Sequence, residues 1–535
     1  MPDWILPILI ALPLLGAGLI VVSSASSARH IALWTTLLAA ALGVGAIAGF
    51  DWSDAAAMQG SLHVPWVPAL GLEFSVGVDS VALLLILLAL LLGPICVAAS
   101  TTAITSRLKT YFAWLLVLQA AMTGVFAARD LVFFYICFEF TLVPMFILIS
   151  LFGSSNRKYA ATKFFLFTFT GSVIALAGLL YVVYINATAP IGSGEWTSDI
   201  ATLQHTARLM NPSQQGWVLL AMLTGFAVKV PLFPVHTWLP LAHTEAPTVG
   251  SVILAGVLLK LGTYAIYRFC LGFTPDAIVH YAPVIGVLCI IGILYAGLIC
   301  WVQQDVKKLV AYSSVSHLGF CILGLVALNS MGVAGSVMYM VNHGLSTGAL
   351  FLLIGMIYER YHTRDMEQLG GLARKMPIWS TFMVFFALAS VGLPGLNWFV
   401  GEIMCLLGAF QGGDLQARAG LGPTPGTLGP WYAAIAGSGM IVAAMYLLYM
   451  LGKVVWGPLR EPRDHHDHPA LPTDLNAREI TLLAPLAILC VAIGLFPEPL
   501  LRAIEAPVNQ TVEMVWSGAQ RDAPTGHNAG QEGER

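Results

Sequence analysis

The sequence predicts an all-α polytopic membrane protein. Hydrophobic residues make up 58% of its 535 residues and charged residues only 10%, whereas soluble proteins carry about 25% charged residues. Apolar runs of about 20 residues, the length that crosses a bilayer as a helix, recur along the whole chain. Two of these runs combine a charged residue with proline or glycine breaks, a pattern typical of the broken helices of transporters.

Fourteen membrane spans are predicted from the apolar runs. The first contains no basic n-region and is expected to be a retained helix, not a cleaved signal. The twelfth is too long for one plain crossing, and its Gly-Leu-Pro-Gly sequence at 392–395 is expected to break it in the middle. The spans lie near residues 4–23, 31–50, 78–99, 111–127, 131–152, 161–186, 216–239, 247–271, 279–301, 309–328, 332–357, 378–410, 431–452 and 480–499.

The distribution of basic residues predicts the orientation, because cytoplasmic loops carry an excess of Lys and Arg. An even number of spans places both termini on one side. With the N-terminus outside, 15 basic residues fall in cytoplasmic loops and 7 in the outer loops and tail. The long 51–77 loop contains neither Lys nor Arg and is expected outside. In a bacterial inner membrane, both termini would therefore be periplasmic.

Several classes of function are disfavoured by composition and motifs. The net charge of -3 argues against nucleic-acid binding. No G-x-G-x-x-G opens a βα unit and no P-loop lysine is present, so we expect no nucleotide and no redox centre in this chain. The eight cysteines lie in apolar runs without a C-x-x-C pair and are expected to be buried apolar residues.

Two polar segments near the C-terminus have less specific patterns. The run DHHDH at 464–468 could bind a metal, but a solvated loop is favoured because nothing supplies a closed coordination shell. The tail at 516–535 is polar and glycine-rich and is expected to be disordered.

Lys229 is the most informative single residue, because it lies inside an apolar run of membrane-spanning length. A charge at that depth costs about 3 kcal/mol or more, so it usually faces a polar interior. Pro231 follows it, lacks an N–H and crowds the preceding turn, and Pro234 and Pro240 continue the interruption. The alternative is a lysine that snorkels from a helix end, with prolines that only terminate the helix.

Other ionisable residues in apolar spans argue against that alternative. Burial disfavours the charged form of such a group, and a nearby opposite charge favours it, so the proton on Lys229 can depend on its distance from Glu139. Histidines titrate near neutral pH and can pass protons onward. We therefore favour a proton relay over structural ion pairs. The further members of this series are Glu139, Lys260, His317, His343 and Glu402.

The spacing of breaks and charges suggests an internal repeat. Spans 4–8 and 9–13 form two sets of five, with broken spans 7 and 12 carrying Lys229 and Glu402, respectively. An odd number of spans per unit inverts the second unit in the membrane, as in many transporters. The predicted organisation is helices 1–3 in 1–110, a first repeat in 111–271, an inverted repeat in 272–457, a loop and helix 14 in 458–515, and the tail in 516–535.

The motifs around these residues resemble the proton-translocating antiporter-like subunits of respiratory complex I. The resemblance covers about residues 60–500 and includes fourteen helices with two inverted five-helix repeats. The L-type and N-type members and the Mrp antiporter counterparts usually carry lysine where Glu402 stands. Four stretches carry the resemblance: FEFTLVPM, KVPLFPVHTWLPLAHTEAPTVGSVILAGVLLKLG, SSVSHLGF with MVNHGLSTGALFLL, and GLPGLNWFVGEIMCLLGAFQ.

The resemblance also implies roles for individual residues. Glu139 and Lys229 would be the charge pair of the first half-channel, Lys260 the central bridging residue, and Glu402 the end of the outward half-channel. Three histidines would lie on the connecting polar axis: His236, His317 and His343. His243 and Glu245 would lie near the cytoplasmic edge. Two roles are possible for them: a structural polar cap or the entry site for protons.

The resemblance places the redox chemistry outside this chain. NAD, FMN, iron–sulfur clusters and quinone would be held by partner subunits, and the L-type and N-type subunits and the lipid bilayer would be its neighbours. Three other hypotheses are open: a cation/proton antiporter subunit of the Mrp type, a membrane subunit of a related hydrogenase complex, and a structural spacer of a membrane arm.

Overall fold

The computed structural model describes residues 1–418, 428–462 and 473–519, without the side chains of 412–418 and 518–519. Two π-helical turns, Leu254–Leu258 and Ile266–Cys270, lie within the continuous helical run Thr248–Phe273. In chain order the helices are α1 (Ile5–Val22), α2 (Ala28–Gly49), α3 (Ser80–Ala103), α4 (Leu108–Ala127), α5 (Leu131–Phe140), α6 (Leu142–Phe152), α7 (Arg157–Thr188), α8 (Ile200–Leu209), α9 (Pro212–Lys229), α10 (Leu239–Glu245), α11 (Thr248–Ile253), α12 (Leu259–Ala265), α13 (Leu271–Phe273), α14 (Pro275–Trp301), α15 (Val306–Val326), α16 (Ser330–Tyr361), α17 (Pro377–Val391), α18 (Asn397–Arg418), α19 (Pro430–Val454), α20 (Ala477–Leu495) and α21 (Glu498–Ala519).

The helices confirm the predicted class of an all-α polytopic membrane protein. Within the described residues, twelve helical runs are long and apolar enough to cross a membrane. Each predicted span overlaps one of these runs, except the seventh and the twelfth. The seventh is helical in α9 up to Lys229 and ends at the first residue of α10, and the twelfth consists of α17 with α18. The inverted relation between spans 4–8 and 9–13 stays a prediction.

The two interrupted spans are broken by different chemistry. In the first, Pro231 has a positive φ of 37° and cannot donate a backbone hydrogen bond. The indole Nε1 of Trp238 donates to the carbonyl of Val228 at 2.9 Å, so this carbonyl at the end of α9 has a partner. In the second, Gly392 (φ 82°) follows α17 and Gly395 (φ 93°) precedes α18. These are left-handed conformations, which glycine adopts without steric cost.

Two structured segments lie outside the predicted spans. The 51–77 loop contains an antiparallel hairpin of β1 (Gln59–Val67) and β2 (Leu72–Val78). After α20 the chain forms α21, which reaches Ala519, so the predicted disorder of 516–535 is wrong for 516–519. Residues 520–535 and the 464–468 run lie outside the described part of the chain. The apolar face of α21 explains its order, since Ile504, Val508 and Val515 are buried.

The helices that carry the central candidate residues form the interior of the bundle. Almost no residue is exposed in the apolar stretches of three helical elements: the Thr248–Phe273 run, α15 and α16. Gly344 of α16 packs against the carbonyl of Gly256 in the first π-helical turn. A Cβ at 344 would lie 2.9 Å from that oxygen, so glycine permits the close approach of α16 to the helix of Lys260. All eight cysteines are free and buried, as the sequence predicts.

A buried ion pair ties α3 to the second π-helical turn, and its loss should destabilise the fold. Arg268 Nη2 donates to Asp79 Oδ2 at 2.6 Å, and the Asp79 side chain is only 2% exposed. Asp79→Asn retains an oxygen for the N-cap bond from Ala82 but leaves Arg268 without its counter-charge. Breaking a buried pair costs about 3–5 kcal/mol. We expect a melting temperature several degrees lower in the purified assembly, whereas the exposed control Asp54→Asn should melt like the wild type.

Candidate functional site

Lys229 is buried at the end of α9, but it does not contact Glu139. Its Nζ donates to Thr141 Oγ1 at 3.2 Å and lies 4.5 Å from the centre of the Phe138 ring. Thr141 is the junction residue between α5 and α6, and its hydroxyl donates to the carbonyl of Phe138 at 2.7 Å. The lysine ammonium is therefore held by a hydroxyl and an aromatic face.

Glu139 follows Phe138 directly on α5, and the predicted charge pair is open in this structure. Both carboxylate oxygens are buried without a hydrogen-bond partner in the described part of the chain. None of the described ion pairs joins Glu139 to Lys229, although the two groups are within electrostatic range. The hydroxyls of Tyr135 and Ser172 are also near the carboxylate. A small movement of either side chain would change a strong interaction, because charges in a medium of low dielectric constant interact over several ångströms.

Lys260 and His343 are in direct contact at the centre of the bundle. Lys260 Nζ lies 2.7 Å from His343 Nδ1, and both side chains are fully buried. The same ammonium donates to the carbonyl of Ala255, which lies in the first π-helical turn. Such turns are frequent at functional sites. The contact joins residues 83 positions apart in the sequence.

His317 is placed between two tyrosine hydroxyls. Its Nδ1 lies 3.0 Å from the hydroxyl of Tyr339, and its Nε2 lies 3.2 Å from the hydroxyl of Tyr446. A neutral imidazole donates from one nitrogen and accepts at the other. His317 can therefore accept a proton on one side and release one on the other.

Glu402 lies at the far end of this series, beside the break between α17 and α18. Its side chain is 1% exposed, and both oxygens lack a hydrogen-bond partner among the described residues. The carboxylate is within electrostatic range of the hydroxyls of Tyr339 and Tyr446. A Cβ on Gly392 would collide with its Oε2. The glycine that breaks the helix thus also makes room for the carboxylate.

The remaining predicted residues lie beside this series. His236 packs against the rings of Phe233 and Tyr295, each 5.8 Å away between centroids. His243 is fully buried and stacks on Phe351 at 4.6 Å. Glu245 Oε2 accepts from the N–H of Asn156 at 2.9 Å, just before α7, which favours a structural cap for Glu245.

Sequence reasoning missed the uncharged members of the site. Thr141, Tyr339 and Tyr446 each contact a predicted residue through a hydroxyl, and Trp398 packs against His317 and His343. A hydroxyl or an indole in an apolar span is common in an ordinary helix core. The only available signal was the position of Trp398, four residues before Glu402.

The site and fold define a class of protein: a polytopic membrane protein with ionisable residues buried along its interior and two interrupted helices. Residues 128–419 match the family described as NADH:quinone oxidoreductase/Mrp antiporter, TM. NADH-quinone oxidoreductase subunit M from Pseudomonas aeruginosa is 39% identical, over 96% of this chain and 98% of the relative. NADH-ubiquinone oxidoreductase chain 4 from Marchantia polymorpha is 36% identical, over 94% and 96%.

Two solved structures share the fold. A chain of respiratory complex I from Thermus thermophilus with bound NADH has a TM-score of 0.83 at 26% identity, covering 95% of this chain and 99% of that one. A chain of the Mrp complex from Dietzia sp. DQ12-45-1b has a TM-score of 0.81 at 20% identity, covering 97% and 99%, and this second likeness shows the fold alone. The chain belongs to the antiporter-like membrane-subunit family, on the branch of subunit M and chain 4.

Proposed function

We propose that this chain is a proton-translocating membrane-arm subunit of an NADH:quinone oxidoreductase. The assignment to this enzyme rests on relatives that match nearly end to end. The observation that carries the translocation role is a run of buried groups. Lys260 contacts His343, the ring of His343 lies 6.4 Å from that of His317, and Glu402 is within electrostatic range of the two tyrosines that contact His317. Such a run crosses the interior of the second half of the chain with groups that both accept and donate protons.

The proposed cycle begins with the contact between Glu139 and Lys229. When the pair closes, the carboxylate stabilises the ammonium; when it opens, Lys229 moves to Thr141, as seen here, and can release its proton towards Lys260. Moving one elementary charge across 100 mV costs about 2.3 kcal/mol. Making or breaking a buried ion pair changes the energy by about 3–5 kcal/mol. One such contact is therefore large enough to drive one proton.

The second half of the cycle uses the contacts around the histidines. Lys260 passes a proton to Nδ1 of His343, which it already contacts. From His343 the proton passes to His317, whose ring lies 6.4 Å away between centroids. It then passes through the hydroxyls of Tyr339 and Tyr446 to Glu402, which releases it to the outer side. In this scheme His236 is a polar neighbour of the first break and not an obligatory carrier, since its partners are aromatic rings.

The proposal includes the setting of the chain. The membrane is the inner membrane of a bacterium, with both termini on the periplasmic side. NAD, FMN, iron–sulfur clusters and quinone belong to partner subunits, and electron transfer there drives the movement of Glu139 and Lys229. The neighbours in the membrane arm are the L-type and N-type antiporter-like subunits.

The second candidate is a cation/proton antiporter subunit of the Mrp type, because the description of the matched family also names that antiporter. An affinity tag on this chain in its native membrane separates the two functions. We expect the tagged chain to co-purify with NADH:quinone oxidoreductase activity, and the reconstituted preparation to acidify one side on addition of NADH. A preparation without that activity that exchanges Na⁺ for H⁺ across vesicles would identify the antiporter instead.

Thr141 offers a direct test of the open position of Lys229. Thr141→Val keeps the shape of the side chain but removes the acceptor for the ammonium. A hydrogen bond to a charged group contributes about 1.5–3 kcal/mol, so the open position should be populated about tenfold less or lower. We expect translocation by this subunit to slow by about tenfold, measured as fewer protons taken up per NADH in proteoliposomes. Thr141→Ser, which keeps the hydroxyl, should pump at nearly the wild-type rate, and equal rates for the two variants would contradict this role.

A further inference from the structure

Trp398 lies beside the step from His343 to His317, which no described hydrogen bond joins. The rings of His343 and His317 are 6.4 Å apart between centroids. His317 has both nitrogens against tyrosine hydroxyls, and His343 has Nδ1 against Lys260. The indole of Trp398 packs against both imidazoles, with centroid distances of 4.2 Å and 5.6 Å.

The indole cannot carry the proton across this step. It has one N–H donor and no acceptor. That N–H is directed to other partners, Ser346 Oγ at 2.5 Å and the carbonyl of Asn342 at 3.1 Å. Trp398 is fully buried, so its ring fills space that a hydrated connection between the two histidines would otherwise use.

Reciprocal asparagine contacts hold the indole in place. Asn342 Nδ2 donates to the carbonyl of Asn397 at 2.7 Å, and Asn397 Nδ2 donates to the carbonyl of Asn342 at 3.2 Å. Asn397 Nδ2 also donates to Ser346 Oγ at 3.2 Å. These bonds tie α16 to the first residue of α18, directly after the break with its two left-handed glycines. The position of the ring is therefore coupled to the seating of the second half of the broken helix.

Polar atoms beside the ring could complete a connection when it moves. His343 Nε2 and Asn342 Oδ1 are buried, and neither has a hydrogen-bond partner within the described residues. Buried water is stable where two to four polar groups converge. Displacement of the indole would let such groups and water span the distance between His343 and His317.

We propose that Trp398 is the internal barrier of the proton pathway and that the Asn342–Asn397–Ser346 cluster sets its closed position. This rests on the proposed function, because a barrier has meaning only on a conducting path. In the closed position the barrier keeps Lys260 and His343 from exchanging protons freely with His317 and Glu402. A shift of α18 relative to α16 moves the ring and opens the step.

The test measures passive proton leak in proteoliposomes of the intact enzyme, under an imposed pH gradient and without NADH. We expect Trp398→Ala to raise the leak about tenfold, which corresponds to about 1.4 kcal/mol of barrier. Protons pumped per NADH should fall while NADH:quinone activity persists. Trp379→Phe is the matched control, because Trp379 is also fully buried but donates to the carbonyl of Leu353 and lies outside the series.

Two further variants test whether the leak follows the proposed pathway. Ser346→Ala leaves the ring present but removes one partner of its N–H, and should raise the leak about threefold; it decides the question if Trp398→Ala does not assemble. Adding Glu402→Gln to Trp398→Ala should return the leak to the wild-type level. A wild-type leak in assembled Trp398→Ala, or a leak that Glu402→Gln does not suppress, would overturn the barrier. Failure of the proposed function is a different result: full NADH-driven pumping in Lys229→Ala.

Discussion

We expect the Lys229→Ala enzyme to assemble and to lose proton translocation through this subunit. The ammonium is the only buried cation described beside Glu139, and its removal leaves nothing in the first half to carry the proton to Lys260. Removing a positioned proton donor or acceptor commonly costs 10²–10⁴-fold in rate. We therefore expect NADH-driven translocation by this subunit to fall about 100-fold, measured as a lower number of protons pumped per NADH by purified enzyme in proteoliposomes.

The same variant separates a proton relay from a structural spacer. A spacer predicts normal pumping in Lys229→Ala once assembly is normal, as judged by subunit content and NADH-ferricyanide activity. Lys163→Ala is the matched control, because Lys163 lies in the membrane helix α7 but outside the series. Glu139→Gln should resemble Lys229→Ala, since the neutral amide cannot attract the ammonium. Persistent quinone reduction and pumping in an assembled Lys229→Ala enzyme would refute the mechanism.

The sequence was sufficient for the class of fold and for the charged members of the site. Apolar runs of bilayer length require helices, because the backbone has no water to bond within lipid. Lys229 and Glu402 were recognisable because a charge in such a run is costly. Proline after Lys229 and glycines before Glu402 also predicted the two interruptions, which the structure places at the same positions.

The contacts between these residues could not be predicted from one sequence. Lys260 and His343 meet because the first π-helical turn and Gly344 allow two helices to approach closely. Neither a π-helical turn nor a glycine at a helix contact is revealed by the spacing of apolar residues in the sequence. Thr141 as the partner of Lys229 was also missed, since a threonine in a helix usually bonds to its own backbone.

Two elements outside the predicted spans, the β1–β2 hairpin and α21, were missed for a different reason. The lack of Lys and Arg in the 51–77 loop predicts only the side of the membrane on which the loop lies, and it does not predict the hairpin of β1 and β2. The helix α21 is amphipathic, and the polar residues on its exposed face give the sequence the composition of a solvated tail. Its buried face has partners only in the folded chain, such as Trp516 Nε1, which donates to the carbonyl of Leu328 at 2.8 Å.

Glu402→Gln should stop translocation at the opposite end of the pathway. The amide has almost the same shape as the carboxyl group, so packing against Gly392 and the tyrosines is retained. It cannot bind and release a proton in the physiological range, and the last carrier before the outer side is lost. We expect translocation to fall about 100-fold, as for other proton-transfer groups, with normal assembly.

One control and two companion variants test this end of the pathway. Glu359→Gln is the matched control, because Glu359 is a glutamate of α16 that accepts from Thr102 and lies outside the series. Glu402→Asp keeps the carboxyl group and should retain part of the activity. Gly392→Ala should impair translocation with Glu402 unchanged, since φ of 82° disfavours alanine and its Cβ would displace the carboxylate. Full translocation in Glu402→Gln would mean that the proton leaves from His317 or its tyrosines by another route.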